Sequence, residues 1–234
     1  MHKAETIKKE LKKIADKDKA KHLAGFFKTG KGQYGEGDIF IGIRVPDQRK
    51  TAKLFFDTEL HEIEKLLDDP IHECRLTALL ILIEKFSKSD DIKKKEIVEF
   101  YLSKTSRINN WDLVDLSSHQ ILGNYYYSRD REILYKLVQS SSLWEQRIAV
   151  VSTYYFIKRN DFKEILTFSE MLLDHKHDLI HKATGWMLRE TGKMDLKILK
   201  KFLNKNHRAM PRTMLRYAIE KLDETEKAVY MAKS

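Results

Sequence analysis

The chain has 234 residues, with 44 Lys and Arg against 35 Asp and Glu for a net charge of +9. An apolar share of 42% supports a sizeable core, and three prolines with nine glycines are too few for an all-β chain built on turns. One cysteine, Cys74, excludes an intrachain disulfide and a cysteine metal cluster and fits a reducing, cytoplasmic setting. The opening Met-His-Lys-Ala-Glu is charged and unlike a secretory signal, and the longest apolar run, Ala78 to Ile83, is far short of a membrane span.

Helical periodicity governs nearly every segment in chain order. Glu5 to Ala15 carries Ile7, Leu11 and Ile14, and Lys19 to Lys28 follows. Gly30 to Pro46 breaks the pattern: its Gly-Lys-Gly-Gln-Tyr-Gly-Glu-Gly run reads as a long loop, of the kind that is often functional or mobile. Within it, Phe40-Ile41-Gly42-Ile43 is the best strand candidate. Helices are then expected over Glu59–Leu67, His72–Phe86 (strongly apolar, suiting a central position), Ile92–Leu102, Asn110–Leu122 and Arg129–Val138. The series continues with Leu143–Ile157, Phe162–Leu173, Asp178–Glu190, Leu196–Leu203 and Pro211–Leu222, and ends in a short C-terminal piece. Ser142 and Asp178 suit N-caps, and Pro211 suits a first turn.

About a dozen helices joined by short turns suggest stacked hairpins. The three tryptophans lie 33 and 42 residues apart, within the range of two-helix repeats of the HEAT or armadillo kind. The expected fold is therefore all-α, a curved solenoid of antiparallel helix pairs forming one domain over residues 1–234.

Charge is unevenly placed. His175 to Tyr217 holds eleven Lys/Arg and three Asp/Glu, so that one stretch carries +8. A basic stripe of this kind suggests a polyanionic partner; the bland alternative is a basic helical surface with none. Trp111 and Asp115 share a helix face, so Asp115 points inward beside a ring. Arg147 interrupts an apolar stripe of Leu143, Val150, Val151 and Tyr154, which is costly unless it meets a carboxylate or phosphate. An Asp115–Arg147 ion pair is the purely structural alternative to a functional site. Lys182, Trp186 and Arg189 share a third face, a ring between two cations that suits nucleic acid. Arg208, Arg212 and Arg216 stand at four-residue spacing, with Arg212 just after Pro211, where unpaired amides attract phosphate. His175, His177 and His181 lack the spacing and carboxylates of a metal site, so no metal is expected. No glycine-rich phosphate loop follows a strand.

Four ordered motifs carry a resemblance: Asn110-Trp-Asp-Leu-Val-Asp115, Trp144-Glu-Gln-Arg-Ile-Ala149, Lys182-Ala-Thr-Gly-Trp-Met-Leu-Arg-Glu190 and Met210-Pro-Arg-Thr-Met-Leu-Arg-Tyr-Ala-Ile-Glu220. With Gly42-Ile-Arg-Val-Pro46 they resemble the AlkD-like DNA alkylation repair family of HEAT-repeat glycosylases, over most of the chain. The resemblance implies a monomer that grips duplex DNA and excises N3- or N7-alkylated purines in base excision repair, without a base-binding pocket and without a metal or cofactor. It implies that Asp115 is the catalytic carboxylate, that Trp111 and Trp186 face the lesion, and that Arg147 is the site arginine. Lys182, Arg189, Arg208, Arg212 and Arg216 are expected to bind the DNA backbone. The sequence departs from the family at Phe26-Phe27, where a tyrosine is usual, and in the glycine-rich segment. A non-catalytic nucleic-acid-binding repeat is the alternative, and a protein-binding scaffold the third.

Overall fold

The computed structural model describes residues 3–232. Its elements are helical, and the one β pairing among the described residues is an isolated parallel bridge between Ile39 and Ile71. The all-α helical-repeat class expected from the periodicity is the class observed. None of the described helices is long and apolar enough to cross a membrane. The chain forms two compact units, residues 1–117 and 118–234.

The first unit opens with α1 (Lys3–Lys13), whose Ala4, Ile7 and Leu11 make the buried stripe. Asp16 then caps α2 (Lys17–Phe26), accepting from the Asp18 and Lys19 amides at 3.1 Å each. After the glycine-rich loop come α3 (Val45–Leu54), α4 (Leu60–Leu67), α5 (His72–Ser87), α6 (Asp91–Ser103) and α7 (Trp111–Ser118). The expected helices appear here, and α3 is an addition to them. It starts with Pro46 in its first turn, yet buries Gln48, Thr51 and Ala52, so it has no large apolar residue on its inner face to give a period.

The axis of this unit is α5, buried without interruption from His72 to Leu82, with α3 and α4 packed on it. Cys74 lies inside this helix with no exposed surface, and burial pushes its thiol up to about 12. The strand candidate Phe40–Ile43 is irregular chain. Its amides go to a carboxylate: Glu73 of α5, itself fully buried, accepts from Ile41 at 3.1 Å, Gly42 at 2.8 Å and Ile43 at 3.2 Å. Buried amides must find an acceptor, and one anion here replaces a neighbouring strand. Gly42 has φ +87°, and a Cβ on it would stand 2.0 Å from the Asp16 carbonyl.

The second unit begins with a π-helical turn, His119–Gly123, where the sequence suggested plain α-helix to Leu122. It continues through α8 (Asn124–Tyr126), α9 (Glu132–Val138), α10 (Leu143–Ser152), α11 (Tyr154–Ile157), α12 (Lys163–Met171), α13 (Asp178–Met194), α14 (Leu196–Asn206), α15 (Arg212–Ala218) and α16 (Glu224–Met231). The single helix expected over Leu143–Ile157 is broken at Thr153. Ser152 and Thr153 turn their hydroxyls back onto the Ile148 and Val150 carbonyls at 2.7 and 2.6 Å, which bends a helix. Helix α13 is the axis of this unit, contacted by α10, α12, α14 and α15. Its cap is His177, whose ring nitrogen accepts from Leu179 N–H, with Asp178 one place inside. Gly185 lets α15 approach to backbone contact, for a Cβ there would lie 2.4 Å from the Met214 carbonyl.

Candidate functional site

The first unit holds Trp111 and Asp115. Both belong to α7, whose start is fixed by side chains: Asn110 accepts from the Trp111 amide and Asp112 from the Leu113 amide, each at 2.8 Å. The Trp111 indole is then held on three sides. Phe27 stacks on it at 5.0 Å and 16° between planes, Phe26 meets it edge-on at 5.8 Å, and its Nε1–H donates to the Tyr34 hydroxyl at 3.1 Å. Phe26 is 58% exposed, whereas Phe27 is buried and continues the stack to Phe40 at 4.9 Å. Asp115 lies one turn beyond Trp111 and is half-buried. An apolar cavity of about 330 Å³ opens against Phe26, Phe27 and Phe40, with Lys19, His22 and Arg44 among its lining residues.

Beneath the rings is a buried charged network that the sequence reading missed. His72 Nε2 lies 2.8 Å from Asp112 and its Nδ1 3.0 Å from Asp38. Arg75 pairs with Asp38 and donates to Asn109, and Asn110 donates to Asp38 at 3.0 Å. Burial alone would lower the His72 pKa. The Asp112 charge and the hydrogen bonds to Asp112 and Asp38 outweigh it and push the ring up to about 9. Asp38 is held below the usual carboxylate range despite burial, because His72, Arg75 and Asn110 all favour its anion. The available signal was His72, Glu73 and Arg75 inside an otherwise apolar helix. Charges are rarely placed there without partners.

The second unit holds the remaining candidates. Arg147 of α10 is only 5% exposed, as its place in an apolar stripe suggested, and donates to the Leu179 carbonyl. Trp144, one turn before it on α10, is half-buried. On α13, Lys182, Trp186 and Arg189 share a partly exposed face. Trp186 lies 6.0 Å from Tyr154, whose ring meets His119 at 5.1 Å, so His119 and Tyr154 join the aromatic row unforeseen. Lys182 pairs with Asp178 at 2.6 Å, and Arg189 pairs with Glu220. Arg212 donates to the Met231 carbonyl at 2.8 Å, while Arg208 and Arg216 are exposed. The row of three arginines is reduced to two on one helix: Arg208 falls in the turn between α14 and α15, because Pro211 starts a new helix. His175 and His181 are engaged locally, with Gln146 at 2.9 Å and with the His175 carbonyl respectively.

Residues 7–222 match the family model described as DNA alkylation repair enzyme. This chain belongs to the DNA alkylation repair enzyme family. Among solved structures it is similar to a predicted DNA alkylation repair enzyme from Enterococcus faecalis, at a TM-score of 0.70 and 15% sequence identity, covering 90% of this chain and 97% of that one. At that identity the likeness speaks for a shared fold. No curated protein sequence matches the chain. Membership of a DNA alkylation repair family makes the protein a repair enzyme with DNA as its substrate. The match spans α1 to α15, and so covers the α7 aromatic site and the basic face of α13 alike.

Proposed function

We propose that this repair enzyme is a monofunctional DNA glycosylase that hydrolyses the N-glycosidic bond of N3- and N7-alkylated purines, such as 3-methyladenine and 7-methylguanine, in duplex DNA. The observation that carries the reading is the α7 site: a tryptophan held on three sides, with a carboxylate one helical turn beyond it on the same face.

An alkylated purine bears a formal positive charge and departs as a neutral base, so the leaving group needs no strong acid and the reaction needs no metal or cofactor. The barrier is the positive charge that grows on the deoxyribose. A carboxylate fixed nearby stabilises that charge and orients the attacking water. Asp115 takes this part. Trp111 and Trp186 present ring faces, which attract a cationic lesion and pack on sugar. Arg147, buried as it is, suits a positioning role near phosphate more than a diffuse surface contact. Lys182, Arg189, Arg208, Arg212 and Arg216 supply backbone contacts; Lys182 and Arg189 exchange Asp178 and Glu220 for phosphate on binding. Strand cleavage is not expected, since none of these roles calls for an amine nucleophile, and the product is an abasic site. The protein acts as a monomer, residues 1–234 making one functional domain.

The test is release of 3-methyladenine and 7-methylguanine from methylated duplex DNA. Asp115→Asn keeps the size and removes the charge, and is expected to slow release by about a hundredfold or more under single-turnover conditions while duplex affinity holds. Release as fast as wild type would remove Asp115 from the chemistry. No release by wild type, with salt-sensitive DNA binding intact, would favour a non-catalytic role on the same nucleic acid.

A further inference from the structure

We propose that Tyr34, delivered by the glycine-rich loop, is a positioning residue that fixes the plane of Trp111 for excision; this rests on the glycosylase reading of Trp111. The end of α2 and its cap offer that ring only side chains without polar atoms, Phe26 and Phe27. A stack and an edge contact leave an indole free to slide and to rock about its side-chain bonds. A hydrogen bond at Nε1 removes that freedom, because it fixes one corner of the ring in direction as well as distance. The loop that brings the hydroxyl is itself fixed at both ends of the relevant stretch. Just after Tyr34, the Gly35 amide donates to the Lys28 carbonyl at 3.2 Å, and a Cβ at Gly35 would stand 2.4 Å from the Phe27 carbonyl, so only glycine lets the loop close this tightly on the end of α2. Three residues later, Asp38 enters the buried network of His72, Arg75 and Asn110. The same network holds Asp112, the next residue after Trp111. Both partners of the Tyr34–Trp111 bond are therefore anchored to α5, and their separation is set by the core and not by a loose loop.

With Phe27 stacked on one face, Phe26 edge-on and Tyr34 at the Nε1 corner, the Trp111 ring is held in one plane before any substrate arrives. Holding a reacting geometry in advance raises the chemical step more than the affinity. Tyr34→Phe removes a single oxygen and keeps the ring. Its expected effect is a loss of about 3- to 10-fold in the single-turnover rate of base release, the equivalent of one hydrogen bond, with the duplex Kd changed by less than about twofold. In a Trp111→Phe background the same substitution has no further effect.

A second measurement does not depend on activity. The chain has three tryptophans and thus three indole N–H resonances in 15N-labelled protein, of which the Trp111 signal is the one absent from Trp111→Phe. Tyr34→Phe shifts that resonance and speeds its exchange with solvent roughly tenfold, leaving the other two in place. An unmoved Trp111 resonance, or an unchanged chemical step in an active enzyme, overturns the proposal. If wild type releases no base, the glycosylase reading fails instead, and the resonance still decides whether Tyr34 holds the ring.

Discussion

His72 sits between two carboxylates, Asp38 and Asp112, with the Arg75 guanidinium alongside. Its pKa rises from 6.5 to about 9 on folding, so the folded protein keeps a proton that the unfolded chain gives up. For a raised pKa the sign is fixed: the stabilisation is complete below about pH 6.5 and is lost as pH climbs through about 9. Urea unfolding is thus expected to show a midpoint that falls between about pH 7 and 9.5, and His72→Gln to lose that alkaline slope along with roughly 2–4 kcal/mol of stability near neutrality. An unaltered slope in the variant would assign the proton elsewhere. The helical positions of Trp111, Asp115 and Trp186 were legible in the sequence from spacing alone, Asp115 one turn beyond Trp111 and Trp186 between Lys182 and Arg189 on one face. Tyr34 and Asp38 were not legible. A loop has no period, and their partners are set by contacts with α5 and α7 that no local pattern encodes.

Elements show the same division. Helix α13 announced itself through its charges and its tryptophan, and Gly185 lies in the middle of it. Its neighbour proves to be backbone, the Met214 carbonyl of α15, with the Tyr217 side chain beside it. Two effects oppose each other in Gly185→Ala. Alanine favours the helix by about 1 kcal/mol, while overpacking against a rigid carbonyl costs about 1–3 kcal/mol or more. The clash at 2.4 Å should win, giving a net loss in chemical denaturation; a gain would mean that α15 can move aside. Gly42→Ala has no favourable side, since φ +87° already strains any Cβ and the Asp16 carbonyl blocks it, and a loss of about 2 kcal/mol or more is expected from the same assay. Helix α3 escaped the sequence reading because its buried face is made of Gln48, Thr51 and Ala52. Gln48 is satisfied by hydrogen bonds to the Ile43 carbonyl and Thr77, and a hydropathy pattern does not register that kind of burial.

For the molecule as a whole, charge and fold were the readable quantities. The all-helical repeat followed from spacing, and the +8 stretch falls on α13, α14 and most of α15. A surface of this sign releases counterions when it meets a duplex. Affinity for undamaged duplex is expected to weaken on the order of a hundredfold between about 50 and 200 mM salt. Arg208→Ala and Arg216→Ala, both at exposed positions, should each lower the salt slope by about one. A slope that stays put in both variants would move the DNA contact off this face.

The burial of Cys74 has a consequence for the conditions under which such an enzyme is needed. The agents that alkylate purines are electrophiles, and the thiolate is the most reactive nucleophile a protein can offer them. Here the chain's one thiol has no exposed surface and is pushed up to about 12, so at neutral pH it is neither reachable nor ionised. A cell under methylating stress would therefore damage its DNA without disarming this protein at sulfhydryl. Intact-mass measurement after exposure to a methylating reagent should find Cys74 unmodified in the folded protein and modified once urea has opened α5.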